Sequence, residues 1–143
     1  MILHFSNRGF SYVYQGFDVN SMLFVALGGA VGSVFRYQVG VWAARWLGPA
    51  FPWGTLTVNI VGSLAIGFLS EMILRRFGGS DELRLLLVTG LLGGFTTFSA
   101  FSLDFVLMIQ RGALGPAFLY LIASVAVSVA AVFIGIFLGR AAF

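Results

Sequence analysis

Four stretches of mostly apolar residues, each long enough to cross a bilayer, take up nearly all of this chain, with short connections between them. A membrane-spanning helix needs ~20 such residues. The stretches run from about Met22 to Leu47, Trp53 to Leu74, Leu83 to Ile109 and Leu114 to Gly139. Gly48-Pro49-Ala50-Phe51-Pro52, Arg75 to Glu82 and Gln110-Arg111-Gly112-Ala113 link them, and the glycines and prolines there are helix breakers. Composition leaves no soluble alternative. Charged residues make up 9% of the 143, against about 25% in a soluble domain, and the mean hydropathy is +1.01. The expected fold is an all-α membrane protein, with one four-helix domain over residues 22–143. Residues 1–21 lack the long apolar core of a signal peptide and read as a poorly ordered N-terminal extension. Met22, directly before the first stretch, is an alternative start of translation.

The chain has no cysteine, and its single histidine, His4, lies outside every span, so disulfides, thiolate sites and histidine metal clusters are excluded. The net charge of +3, carried by eight arginines and no lysine, points to no nucleic-acid partner. Four spans place both termini on one side of the membrane. That side holds Arg8, Arg75, Arg76, Arg84 and Arg140, and the other holds Arg45 and Arg111. The excess favours termini inside, and it is small enough to suit a protein that inserts both ways round.

Polar groups in hydrocarbon are costly and normally face a partner helix or a wet path. Thr55, Asn59 and Ser63 fall at i, i+4 and i+8 on one face of the second helix, and Tyr120, Ser124 and Ser128 repeat that spacing in the fourth. Such rows either join helices or line a path. Both rows are neutral donors, which suit an anion or water better than a proton or metal cation. Gly28 and Gly32, and again Gly135 and Gly139, have the small-xxx-small spacing of closely packed helices. Arg36, inside the first span, is either an ion-pair member or an electropositive anchor at a vestibule.

The third span contains Gly90-Leu91-Leu92-Gly93-Gly94-Phe95-Thr96-Thr97-Phe98-Ser99-Ala100-Phe101-Ser102. Paired glycines followed by β-branched threonines make a poor helix centre and predict a break there. Irregular backbone at that depth must be buried by protein or line a cavity. Freed carbonyls would suit a hard cation such as Na⁺, or the break is a kink without an ion. Phe98 and Phe101 share a face, and phenyl edges are electropositive enough to attract an anion. Asp104, one turn beyond, either flanks a pore mouth or lies near the interface.

Three of these segments, Gly28 to Tyr37, Pro52 to Ser63 and Gly93 to Ser102, resemble the Fluc/CrcB family of fluoride channels in order and spacing, and the likeness extends from about Met22 to the C-terminus. The resemblance implies a passive fluoride channel that exports cytoplasmic fluoride and so lowers its toxicity. It implies a homodimer of oppositely inserted subunits with two pores, in a bacterial inner membrane. It implies a central structural Na⁺ held by backbone carbonyls at Gly93 and Thr96. Asn59, Phe98, Phe101, Tyr120, Ser124 and Ser128 match the family's pore lining. Ala100 departs from it, since many members have Thr there.

No catalysis is expected. A small dual-topology multidrug exporter coupled to protons is one alternative, but it needs a membrane-embedded acid; Glu71 lies near a span end, which leaves only Asp104. A structural membrane subunit is a second alternative, and it would explain the glycines but not the polar rows.

Overall fold

The computed structural model describes residues 18–143. Four helices are long and apolar enough to cross a membrane: α1 (Val19–Leu47), α2 (Trp53–Arg76), α3 (Asp81–Gln110) and α4 (Leu114–Ala142). This is a multi-pass membrane protein. The part of the expected N-terminal extension that covers residues 1–17 lies outside the described residues.

Helix α1 begins three residues ahead of the apolar stretch. Asp18 makes that possible, because its carboxylate accepts from the Asn20 N–H at 3.1 Å and the Ser21 hydroxyl at 2.9 Å and so caps the first turn. At the far end of α2 the chain turns through Gly78 and Gly79, both at positive φ, which glycine adopts without a Cβ clash. Ser80 then caps α3 by accepting from the Leu83 N–H at 3.4 Å.

The bundle is built from two tight helix pairs. Helix α1 packs along the first half of α3, and α2 packs along the later part of α4. In lipid there is no hydrophobic drive to join helices, so close backbone packing has to do it. A methyl group on Gly28 or Gly32 would collide with the carbonyl oxygens of Leu86 or Leu91. A methyl on Gly67 or Gly135 would meet those of Val132 or Leu64. The small-residue spacings therefore serve packing within one chain. Gly135→Val is expected to lower bundle stability by about 1–3 kcal/mol, the usual range for overpacking. Denaturant titration in detergent would measure it, and an unchanged midpoint would contradict this packing.

Large apolar side chains such as Leu23, Leu27, Phe133 and Phe137 point outward, as a lipid-facing surface requires. Trp42, Trp46 and Trp53 are exposed at the end away from the termini, where indoles belong at a headgroup boundary. At the termini end, Glu71 bridges two helices, accepting from Arg75 at 2.8 Å and from Arg140 of α4 at 2.9 Å.

Candidate functional site

Helix α3 is interrupted where the sequence suggested. Its first half runs through wide π-helical turns (Arg84–Leu92) and ends at Phe95, and a regular helix resumes at Phe98–Gln110. Thr96 and Thr97 between them are extended, with ψ of 159° and 117°. Thr97 is 8% exposed, so its backbone groups need partners inside the protein. Asn59 supplies both: its side-chain oxygen accepts from the Thr97 N–H at 2.8 Å, and its amide donates to the Thr97 carbonyl at 3.0 Å. The Thr97 hydroxyl caps the second half by accepting from the Ala100 N–H at 3.1 Å. Gly62, one turn beyond Asn59 on the same face, leaves room for the Thr96 methyl.

A cavity of about 300 Å³ opens beside this break, between α2, the break and α4. Asn59, Ser63, Phe98, Phe101, Ser124 and Ser128 all line it, and none of its lining residues carries a formal charge. The Oγ atoms of Ser124 and Ser128 are buried there with no hydrogen-bond partner in the protein. Both residues line the same cavity as Asn59. Part of α4 (Ala123–Val127) is π-helical. Wider turns offset the drift that an i, i+4 row accumulates at 3.6 residues per turn, and so keep both residues on the cavity side of α4.

The two polar rows do not stay whole. Thr55 and Tyr120 are drawn instead to Asp104, whose Oδ2 accepts from the Thr55 hydroxyl at 2.7 Å and from the Tyr120 hydroxyl at 3.4 Å. Tyr120 is fully buried, and its ring packs on Phe101 at 5.2 Å and edge-on to Phe51 at 5.5 Å. Asp104 thus joins α2, α3 and α4 one station further along. Phe98 and Phe101 differ sharply. Their rings are 5.5 Å apart, yet Phe101 is 6% exposed and Phe98 is 77% exposed.

Electrostatics at the break favour negative charge without a fixed cation in the cavity. The second half of α3 starts at Phe98, so the positive end of its dipole lies at the cavity wall. The first half ends at Phe95, and at the residue that follows it Arg36 donates from Nη1 to the Thr96 carbonyl at 3.4 Å, meeting the negative end of that dipole. Arg36 makes no ion pair with an acid among the described residues.

The sequence pattern of the family described as "CrcB-like protein, Camphor Resistance (CrcB)" matches residues 23–136. The chain belongs to this family. It is 65% identical over 116 residues to a protein of Agrobacterium fabrum named "Fluoride-specific ion channel FluC", covering 81% of this chain and 93% of that one. Proteins of the same name from Rhizobium etli (strain CIAT 652) and Rhizobium meliloti are 61% and 53% identical, covering 82% and 86% of this chain and 94% and 98% of theirs.

One expectation carried over from the CrcB family is corrected here. No structural Na⁺ site is found at Gly93 and Thr96. Among the described residues no group of three or more His, Cys, Asp or Glu could hold a metal. At the break itself the Thr96 carbonyl already faces a cation, the Arg36 guanidinium, and Gly93 lies in a helical turn with its N–H bonded to the Gly90 and Val88 carbonyls. Sequence reasoning also leaves two participants unnamed. Thr97 is the residue that Asn59 holds, and its position as a Thr just ahead of a resumed helix is a readable capping signal. Ile66, at the cavity's termini-side edge, gives no signal at all.

Proposed function

We propose that this protein is the subunit of a passive, fluoride-selective anion channel that lets cytoplasmic fluoride leave down its electrochemical gradient. The observation that carries the reading is the pair of buried, unpartnered hydroxyls of Ser124 and Ser128 in an uncharged cavity. A small ion that accepts hydrogen bonds satisfies them. The electropositive edges of Phe98 and Phe101 and the helix start at Phe98 favour that ion being an anion. The name shared by the bacterial relatives supplies its identity.

Fluoride is small and tightly hydrated, so a pore has to replace its water in stages. Asn59, Ser124 and Ser128 donate hydrogen bonds, and the two phenyl edges replace part of the remaining shell. A neutral lining binds the ion weakly enough for it to move on. Tyr120, tied to Asp104, forms the next polar station toward the end away from the termini. Two copies in opposite orientation would share the bacterial inner membrane and cover Phe98, whose exposure in a single chain and the small arginine bias both support this pairing. No bond is made or broken in such conduction. A proton-coupled exporter needs a free acid in the cavity, whereas Asp104 is held by Thr55 and Tyr120 and Glu71 by two arginines.

The test is fluoride efflux from liposomes holding the purified protein, read with a fluoride electrode after a potassium ionophore is added, with chloride efflux alongside. Fluoride is expected to leave rapidly and chloride to stay. Ser124→Ala combined with Ser128→Ala removes two buried hydroxyls that have no well-formed hydrogen bond within the protein, so its stability should change little. Its fluoride flux should fall about tenfold or more, since a hydrogen bond to an ion is worth roughly 1.5–3 kcal/mol. A folded wild-type protein without fluoride efflux would sink the channel reading. Undiminished flux in the double variant would remove the two hydroxyls from the path.

A further inference from the structure

A separate cavity of about 280 Å³ opens at the end of the bundle away from the termini. Pro49 and Pro52 of the α1–α2 loop wall it on one side, and Asp104, Leu107, Met108 and Arg111 on the other. Asp104 connects it to the polar station already described. The carboxylate accepts from Thr55 and Tyr120, and the Tyr120 ring packs on Phe101, which lines the cavity at the break. Neutral cavity, Tyr120–Asp104 station and outer cavity therefore follow one another toward the far surface.

An acid is an awkward neighbour for an anion path. The Thr55 and Tyr120 hydroxyls disperse the Asp104 charge, but neither carries a positive charge to oppose it. Among the described residues Asp104 is the one acid at this end, and Arg45 and Arg111 are the cations. Of the two, Arg111 lines the cavity. It follows Asp104 by seven residues, or about two helical turns, so the pair share a face of α3 roughly 10 Å apart along its axis. Arg111 donates from Nε to the Leu107 carbonyl at 3.3 Å, which folds the side chain back over the last turn, in the direction of Asp104. No salt bridge closes between them. The two charges thus face one space from a distance, and their fields oppose each other across it.

We propose that this cavity is the outer mouth of the anion path, and that Arg111 is a positioning residue that offsets the Asp104 charge there. Fluoride then meets a mouth with no net charge, which neither repels the ion nor holds it. The inference rests on the fluoride-channel reading.

Charge substitutions separate this role from simple capping of α3. In liposomes, Arg111→Gln should slow fluoride efflux roughly two- to fivefold at low ionic strength and less at high salt, with Arg111→Lys close to wild type. Asp104→Asn removes the charge and keeps an oxygen that accepts from Thr55 and Tyr120. Alone it should conduct at least as fast as wild type, and in its background Arg111→Gln should no longer slow efflux. A lost cap would slow efflux in either background and at any salt. Undiminished slowing beside Asp104→Asn, a slow Asp104→Asn, or a full-rate Arg111→Gln would each overturn the pairing. Leu107→Cys tests the mouth itself, in a chain without other cysteines. A thiol reacts as its thiolate, which requires water. With reagent on both sides, methanethiosulfonate ethylsulfonate should label it, shown by mass, and reduce fluoride efflux. An unlabelled thiol, or labelling that leaves efflux unchanged, would take this cavity off the path while wild-type efflux still upheld the channel. A wild-type protein with no efflux would remove both.

Discussion

Asn59→Ala is expected to abolish fluoride efflux and to cost the bundle about 2–4 kcal/mol, a larger combined effect than any other single substitution on α2. Two hydrogen bonds carry the argument. Asn59 accepts from the Thr97 N–H at 2.8 Å and donates to the Thr97 carbonyl at 3.0 Å. Thr97 is buried between two helical segments, so neither segment supplies those partners. Alanine leaves a buried N–H and a buried carbonyl unpaired, each worth about 1–3 kcal/mol, in a medium where water cannot replace the amide. Asn59→Asp separates the two roles. The carboxylate still accepts from the N–H but cannot donate to the carbonyl, and it adds a negative charge beside an anion path. It should fold better than the alanine variant and still conduct nothing. Denaturation midpoints and liposome efflux on the two variants make the comparison, and full-rate efflux in either would show that Asn59 lies off the path.

Much of this arrangement was legible in the sequence because membrane physics leaves few choices. Four apolar stretches can only become four spanning helices, and Gly93-Gly94 followed by Thr96-Thr97 can hardly stay helical at mid-span. Asn59 stands out because an amide in hydrocarbon needs a partner. The partner itself is not readable. Spacing of i, i+4 says that Thr55, Asn59 and Ser63 share a face, but not which helix meets each turn. Asp104, on another helix, splits that row and the Tyr120 row alike. The π-helical turns at Arg84–Leu92 and Ala123–Val127 are equally hidden, since they answer to packing between helices rather than to local propensity. Arg36 stands in the sequence as a lone charge within a span, and its use as a cap on the broken helix follows from where α1 crosses the break. That same contact is why the Na⁺ expectation fails at Thr96.

Phe98 and Phe101, adjacent on one face, are expected to respond to truncation in opposite ways. Phe101 is 6% exposed and packs on Tyr120 at 5.2 Å, so Phe101→Ala opens a core cavity and should cost about 3–5 kcal/mol. Phe98 is 77% exposed in the single chain, so Phe98→Ala removes almost no internal packing and should leave the unfolding midpoint of the single chain nearly unchanged. Its flux should nevertheless fall roughly two- to tenfold, if the ring edge is worth to the ion about the 0.5–1.5 kcal/mol of an edge-to-face aromatic contact, each 1.4 kcal/mol in a barrier being a factor of about ten in rate. Phe98→Leu, which keeps bulk and loses the ring quadrupole, decides whether the edge or mere occlusion matters. If the ring edge carries the ion, leucine conducts as poorly as alanine. If leucine conducts like phenylalanine, the aromatic contribution to selectivity is removed, and the donors of Asn59, Ser124 and Ser128 have to account for dehydration alone.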